Sequence, residues 1–172
     1  MRWWILVFSL PVAAQTGSPD IVISQIYGGG GNAGATLRND FIELFNRGAS
    51  PVDITGWSVQ YASATGVNWQ VTRLTGMLEP GQYYLVQEAQ GAGGTTALPA
   101  PDATGEIAMS ATAAKIALVN NETALTGGSP TGANIIDFAG YGTADFSETR
   151  PAPGLSNTTA ALRRGGGCTD TN

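Results

Sequence analysis

Histidine is absent from the 172 residues, and with it the commonest general base, the usual partner of a nucleophilic serine and the favoured zinc ligand. Carboxylates are what remains for acid–base chemistry. Two pairs lie close in sequence, Asp40 with Glu43 and Asp145 with Glu148, and a pair flanking one bond is what glycoside hydrolysis requires. Successive residues of a strand point to opposite faces, so residues three apart cannot flank one bond, which removes Asp40 with Glu43. Asp145 and Glu148 fall in a turn-rich stretch beside Arg150 and Pro151 and read as solvated charges. Asp170 near Asn172 looks like a fragment of a calcium loop, but two oxygen ligands fall short of the roughly six to eight that calcium takes. No catalytic residue, no metal-ligand set and no cofactor are therefore expected.

Binding chemistry has few other footholds. Gly28 to Gly31 followed by Asn32 has the composition of a phosphate cradle, yet no Gly-Lys-Ser/Thr follows and the next periodic segment is a strand, so 28–34 reads as a flexible loop. Arg163 and Arg164, with Lys115, are the one place where basic residues could gather; their bland role is charge at a strand end. The sequons at Asn121 and Asn157 are acceptors only in a host that glycosylates at this signal, and otherwise read as coincidences of a threonine-rich chain. Cys168 stands alone, so it either has an external partner or is simply reduced.

The elements that must position these residues centre on Asp40 to Val59, read as strand, turn, strand. Asp40 to Asn46 is rich in β-branched and aromatic residues, and Glu43 turns its parity to water, which points Ile42 and Leu44 inward. The same parity sends Phe41 and Phe45 outward on either side of the carboxylate, and these are the candidate binding residues. Either the stretch Ala144 to Leu155 covers them through Phe146 or Pro151, or they form an exposed patch that marks a partner interface. Gly48 and Pro51 turn the chain, Val52 and Ile54 re-enter the core, and Trp57, Val59 and Tyr61 follow on one face with the largest apolar mass. Further strands are expected at Ile21 to Tyr27, Trp69 to Leu74, Gln82 to Gln87, Lys115 to Asn120, Ile135 to Tyr141 and Thr158 to Arg164. Pro80-Gly81 marks a tight turn, Ala89 to Gly105 a long surface loop, and Ala144 to Leu155 a segment wrapping one open end. Turns every eight to twelve residues without strand–helix alternation indicate one all-β domain, an antiparallel sandwich.

Composition agrees with this. Twenty-four glycines, nine prolines and 12% charged residues suit short strands joined by turns rather than helices. The net charge of −5 becomes −6 once Arg2 is removed with the leader, a balance that disfavours a phosphate-binding surface while leaving room for a local patch. Residues 1–14, MRWWILVFSLPVAA, combine one positive charge, an apolar run, Pro11, and small Val12 and Ala14 ahead of Gln15, the pattern of an export signal. The run is too short for a membrane span, which needs roughly 20 apolar residues. A linker over 15–20, a sandwich over 21–164 and a flexible C-terminal tail over 165–172 complete the expected organisation, with the tail reading as cut from something longer.

The series FIELFNRGASPVDITGWSV, LEPGQYYLV, KIALVNN, IIDFAGYG and LSNTTAALRR, in that order from about Ile21 to about Arg164, resembles the lamin-tail domain in its bacterial, exported form. The resemblance implies an immunoglobulin-like β-sandwich without an active site of its own, found in longer bacterial proteins beside endonuclease/exonuclease/phosphatase-type nucleases or other secreted hydrolases. A non-catalytic binding or scaffolding module at the cell surface or outside the cell is the function it suggests. The alternative is the accessory N-terminal domain of a secreted nuclease or other hydrolase whose catalytic domain lies beyond Asn172. The expected partner is a protein, an attached enzyme domain or a surface polymer, with nucleic acid entering by family analogy alone.

Overall fold

A computed structural model describes residues 20–169 and contains no helix among them. The expected leader over 1–14, most of the 15–20 linker and the end of the tail from Asp170 lie outside the described residues. The strands are β1 (Ile21–Tyr27), β2 (Asn39–Asn46), β3 (Val52–Asp53), β4 (Ser58–Ser63), β5 (Gln70–Arg73) and β6 (Met77–Leu78). They continue with β7 (Tyr83–Gln90), β8 (Ala103–Thr104), β9 (Ala114–Val119), β10 (Ile135–Tyr141) and β11 (Ala161–Leu162). A five-stranded sheet in the order β11-β1-β2-β7-β8 packs on a four-stranded sheet in the order β10-β9-β4-β5, with β3 and β6 forming a small pair. Among the described residues every pairing between these strands is antiparallel except β7 with β8, and the architecture is an immunoglobulin-like sandwich.

Alternation along the strands builds the core. Ile42 and Leu44 of β2, Tyr84 and Val86 of β7, Val59 and Tyr61 of β4, and Ile116 and Leu118 of β9 fill the space between the sheets. The opposite parity of the four-stranded sheet is covered too: Ala62, Ala117, Val119 and Phe138 meet Trp69, Phe146 and Leu125. Phe138 stands edge-on to Trp69 and to Phe146, with ring centroids 5.7 and 5.0 Å apart, so the 144–155 stretch packs its aromatic onto this sheet. Trp57 differs from its expected central place: it precedes β4, is half-buried and packs at the rim of the core, leaving Val59 and Tyr61 to anchor it.

Of the two alternatives for Phe41 and Phe45, the exposed patch does not form. Both rings are buried, at 7% and 9% exposure, while Phe146 packs on Phe138 of the other sheet. Instead each phenylalanine meets a tyrosine directly across the ladder, Phe41 with Tyr27 and Phe45 with Tyr83, at centroid separations of 5.6 and 4.6 Å. Each tyrosine is fastened from the far end of the chain: Tyr27 Oη donates to the Asn157 carbonyl at 2.6 Å, and Tyr83 Oη to the Gly166 carbonyl at 2.7 Å.

Three further expectations change. Residues expected to hang free as a tail instead form a turn over 165–168, held by Gly167 N to Arg163 O and Thr169 N to Arg164 O, with Gly167 buried against Ser24. The loop over 89–105 shrinks, because β7 runs on to Gln90 and β8 adds a parallel strand, with Gly93 N bonded to Gly31 O and Arg38 N to Thr96 O between them. The closing strand of 158–164 is two residues long. The glycine run at 28–31 is a packing device: a Cβ at Gly30 would strike the Asn39 carbonyl, and Gly31, at φ +66°, lies against Gly91.

Candidate functional site

The two sequence-adjacent carboxylate pairs are separated by the fold. Asp40 turns into the interior, where it is 4% exposed and accepts from Gly30 N and Met109 N at 2.8 Å each, while Glu43 lies on the opposite face and accepts from Ser24 Oγ. Asp145 takes Lys115 at 2.7 Å, and Glu148 lies 3.9 Å from Arg163, so the charges expected to be solvated are engaged by two different cations. Lys115 does not join Arg163 and Arg164. It is fully buried, donating to the carbonyls of Gly66 and Gly128 at 3.0 and 2.6 Å, with the Trp69 ring 5.9 Å from its ammonium.

A second interior carboxylate, Glu88, continues the inward parity of Tyr84 and Val86 and is 1% exposed. Its Oε2 accepts from Ile107 N at 3.0 Å, and its Oε1 has no hydrogen-bond partner among the described residues. Burial pushes Asp40 up to about 6, opposed by the amides of Met109 and Gly30, and pushes Glu88 up to about 7 with the nearby Asp40 adding to the rise. No Lys or Arg forms an ion pair with either among the described residues. Such values suit a general acid at neutral pH. These groups lack its other requirement, access: their oxygens hold the backbone of the 107–109 segment inside the sandwich, beneath Tyr61 and Tyr141, whose hydroxyls bond Ser110 N and Ser110 O. Among the described residues, no cluster of three His, Cys, Asp or Glu stands close enough to hold a metal ion.

A cleft of about 730 Å³ opens to solvent at the sandwich edge, between β1 with β11 on one side and β10 with the 147–153 stretch on the other. Two bulges shape its floor. One, between Ile135 and Asp137, sends Ile135 to the outer aromatic cluster and turns Asp137 inward; the other, between Ile23 and Gln25, opens the β1 ladder opposite it. Asp137, fully buried, accepts from Ile23 N at 2.6 Å and from Arg163 Nη2 at 2.6 and 2.7 Å, while Arg163 Nε donates to Ile23 O at 2.7 Å. One ion pair thus satisfies both backbone groups of Ile23 where β11 has run out, a side-chain substitute for a ladder partner. Above it stand Arg150 and Arg164, both exposed and without an ion pair or side-chain hydrogen bond among the described residues.

Sequence reasoning found Arg163 and Arg164 but missed Asp137, Arg150 and Glu88 as members of these sites. Glu88 was legible, since its parity with Tyr84 and Val86 puts it on the core face. Asp137 was not, because alternation from Ile135 assigns it wrongly once a bulge intervenes. Arg150 comes from a loop with no period to read.

A search of curated proteins returns no match. Among solved structures, the chain is similar to a DUF4876 family protein from Bacteroides thetaiotaomicron at 12% identity and a TM-score of 0.46, over 71% of this chain and 53% of that one. The chain thus spans about half the length of that protein. The family model described as Lamin Tail Domain matches residues 14–143, from the expected end of the leader through the last strand of the four-stranded sheet. With a match over most of its length, the chain belongs to the lamin tail domain family.

Proposed function

We infer that this chain is a non-catalytic, exported binding or scaffolding module. The observation that carries the reading is how its ionisable groups are used: Asp40 and Glu88 hold interior backbone, Lys115 and Asp145 tie the outer face of one sheet, and Asp137 with Arg163 closes the edge. Recognition is left to the edge cleft, where Arg150 and Arg164 stand unpaired among the described residues. Membership of a family of small immunoglobulin-like domains supports the non-enzymatic character, and the leader pattern of residues 1–14 supports export.

Incubation of the purified chain with DNA, phosphate monoesters and glycosides in the presence of Mg²⁺, Mn²⁺ or Ca²⁺ should give no turnover. Metal-dependent turnover lost on changing one Asp or Glu of this chain would overturn the reading. Expression in a bacterial host should deliver the chain outside the cytoplasm with Gln15 as its first residue; retention inside with residues 1–14 intact would remove the exported half of the reading.

A further inference from the structure

The edge cleft combines three features that together specify an occupant. Its volume, about 730 Å³, lies within the roughly 300–1,000 Å³ of ligand-binding clefts. Its charge runs against that of the molecule: on a chain of net charge −5, three of the eight basic residues, Arg150, Arg163 and Arg164, line this one cleft. Asp137 and Glu148 engage Arg163, which leaves the guanidinium groups of Arg150 and Arg164 for an external anion. The same cleft is lined by the edge strand β11. Among the described residues β11 is the outermost strand of its sheet and pairs with β1 alone, through Leu162 with Gln25 and Ala161 with Ile26, so one side of its backbone has no neighbouring strand there. Leu162, 58% exposed, adds an apolar contact on that edge.

The geometry points to an extended acidic peptide segment of a partner protein as the occupant, lying beside β11 as an added strand with carboxylates on Arg150 and Arg164. This rests on the reading of the chain as a binding module and names its partner chemistry. The outward backbone of the two-residue β11 offers a peptide an amide donor and a carbonyl acceptor, from which its carboxylate side chains would reach the arginines. Arg offers a planar fork that matches a carboxylate with two parallel hydrogen bonds. The ion pair beneath holds the floor rigid, so these contacts form without reorganising the sandwich.

The test uses a labelled short peptide of alternating glutamate and threonine, titrated against the full chain by fluorescence anisotropy at low salt. Binding should weaken by about tenfold or more in the Arg150→Glu, Arg164→Glu double variant and on raising salt, and remain unchanged in Arg38→Glu, an exposed arginine outside the cleft. Replacing glutamate by glutamine in the peptide, or methylating alternate backbone nitrogens, should also abolish it. Unchanged melting of the double variant confirms that the fold is intact. Equal binding by parent and double variant, or by the methylated peptide, overturns the assignment. Tighter binding of oligothymidylate or heparin, lost in the same double variant, overturns the peptide while leaving a binding module in place. Turnover in the hydrolysis assays removes the underlying reading itself.

Discussion

Trp69 and Trp57 make opposite contributions to what their size suggests from sequence alone. Trp69 is buried against Phe138 and donates its indole N–H to the Gly127 carbonyl at 3.0 Å, whereas Trp57 is half-buried at the rim. Trp69→Ala should cost about 3 to 5 kcal/mol and Trp57→Ala clearly less, measured by urea unfolding of each variant; the reverse order would mean that Trp57 carries the core. Phe41→Ser with Phe45→Ser should destabilise the fold, since both rings are enclosed by tyrosines held to Asn157 and Gly166. A double variant that melts with the parent would restore these residues as a surface patch. The inward positions Ile42, Leu44, Val59 and Tyr61 were legible because period-two alternation decides them directly. The fate of the outward phenylalanines was not, because the tyrosine hydroxyls that lock their neighbours reach residues more than 80 positions away.

At the scale of elements, the longer strands were largely legible, and the closure of the sandwich was not. Alternation, aromatic content and turn residues locate β1, β2, β7, β9 and β10 within a few residues. β8 and β11 are two residues each and carry no period, so their pairing comes from tertiary context. Closure at β1 depends on Asp137 and Arg163, which come together through two bulges. Asp137→Ala should strip the buried end of Arg163 and the Ile23 amide of their shared partner and cost about 3 kcal/mol or more. Replacing both residues together, Asp137→Leu with Arg163→Met, should recover part of that loss, because no charge is then left buried alone. Chemical denaturation of the two singles and the double checks this, and strictly additive losses would contradict it.

For the whole molecule, the decisive question is whether the interior carboxylates are struts or reactive groups. Asp40 and Glu88 titrate near 6 and 7 when folded, above their unfolded values of 3.8 and 4.5. A carboxyl whose folded value is raised holds its proton in the native state after the unfolded chain has lost it. Its contribution is therefore most favourable below about pH 4, falls as pH rises through the interval to 7, and is flat above. The shifts correspond to a combined effect on the order of 6 kcal/mol. Hydrogen bonds from Thr55 hold Asp53 below the ordinary carboxylate range, and comparison with a neutralised variant isolates the two interior groups. The measurement is urea unfolding of the parent and of Asp40→Asn, Glu88→Gln from pH 4 to 8. The expected result is a parent whose stability declines across that range relative to the variant, so that the variant is the more stable of the two at pH 8. A parent equally or increasingly stable relative to the variant as pH rises would mean that both carboxylates are ionised and solvated, which would contradict their role as architecture and reopen the interior as a site of chemistry.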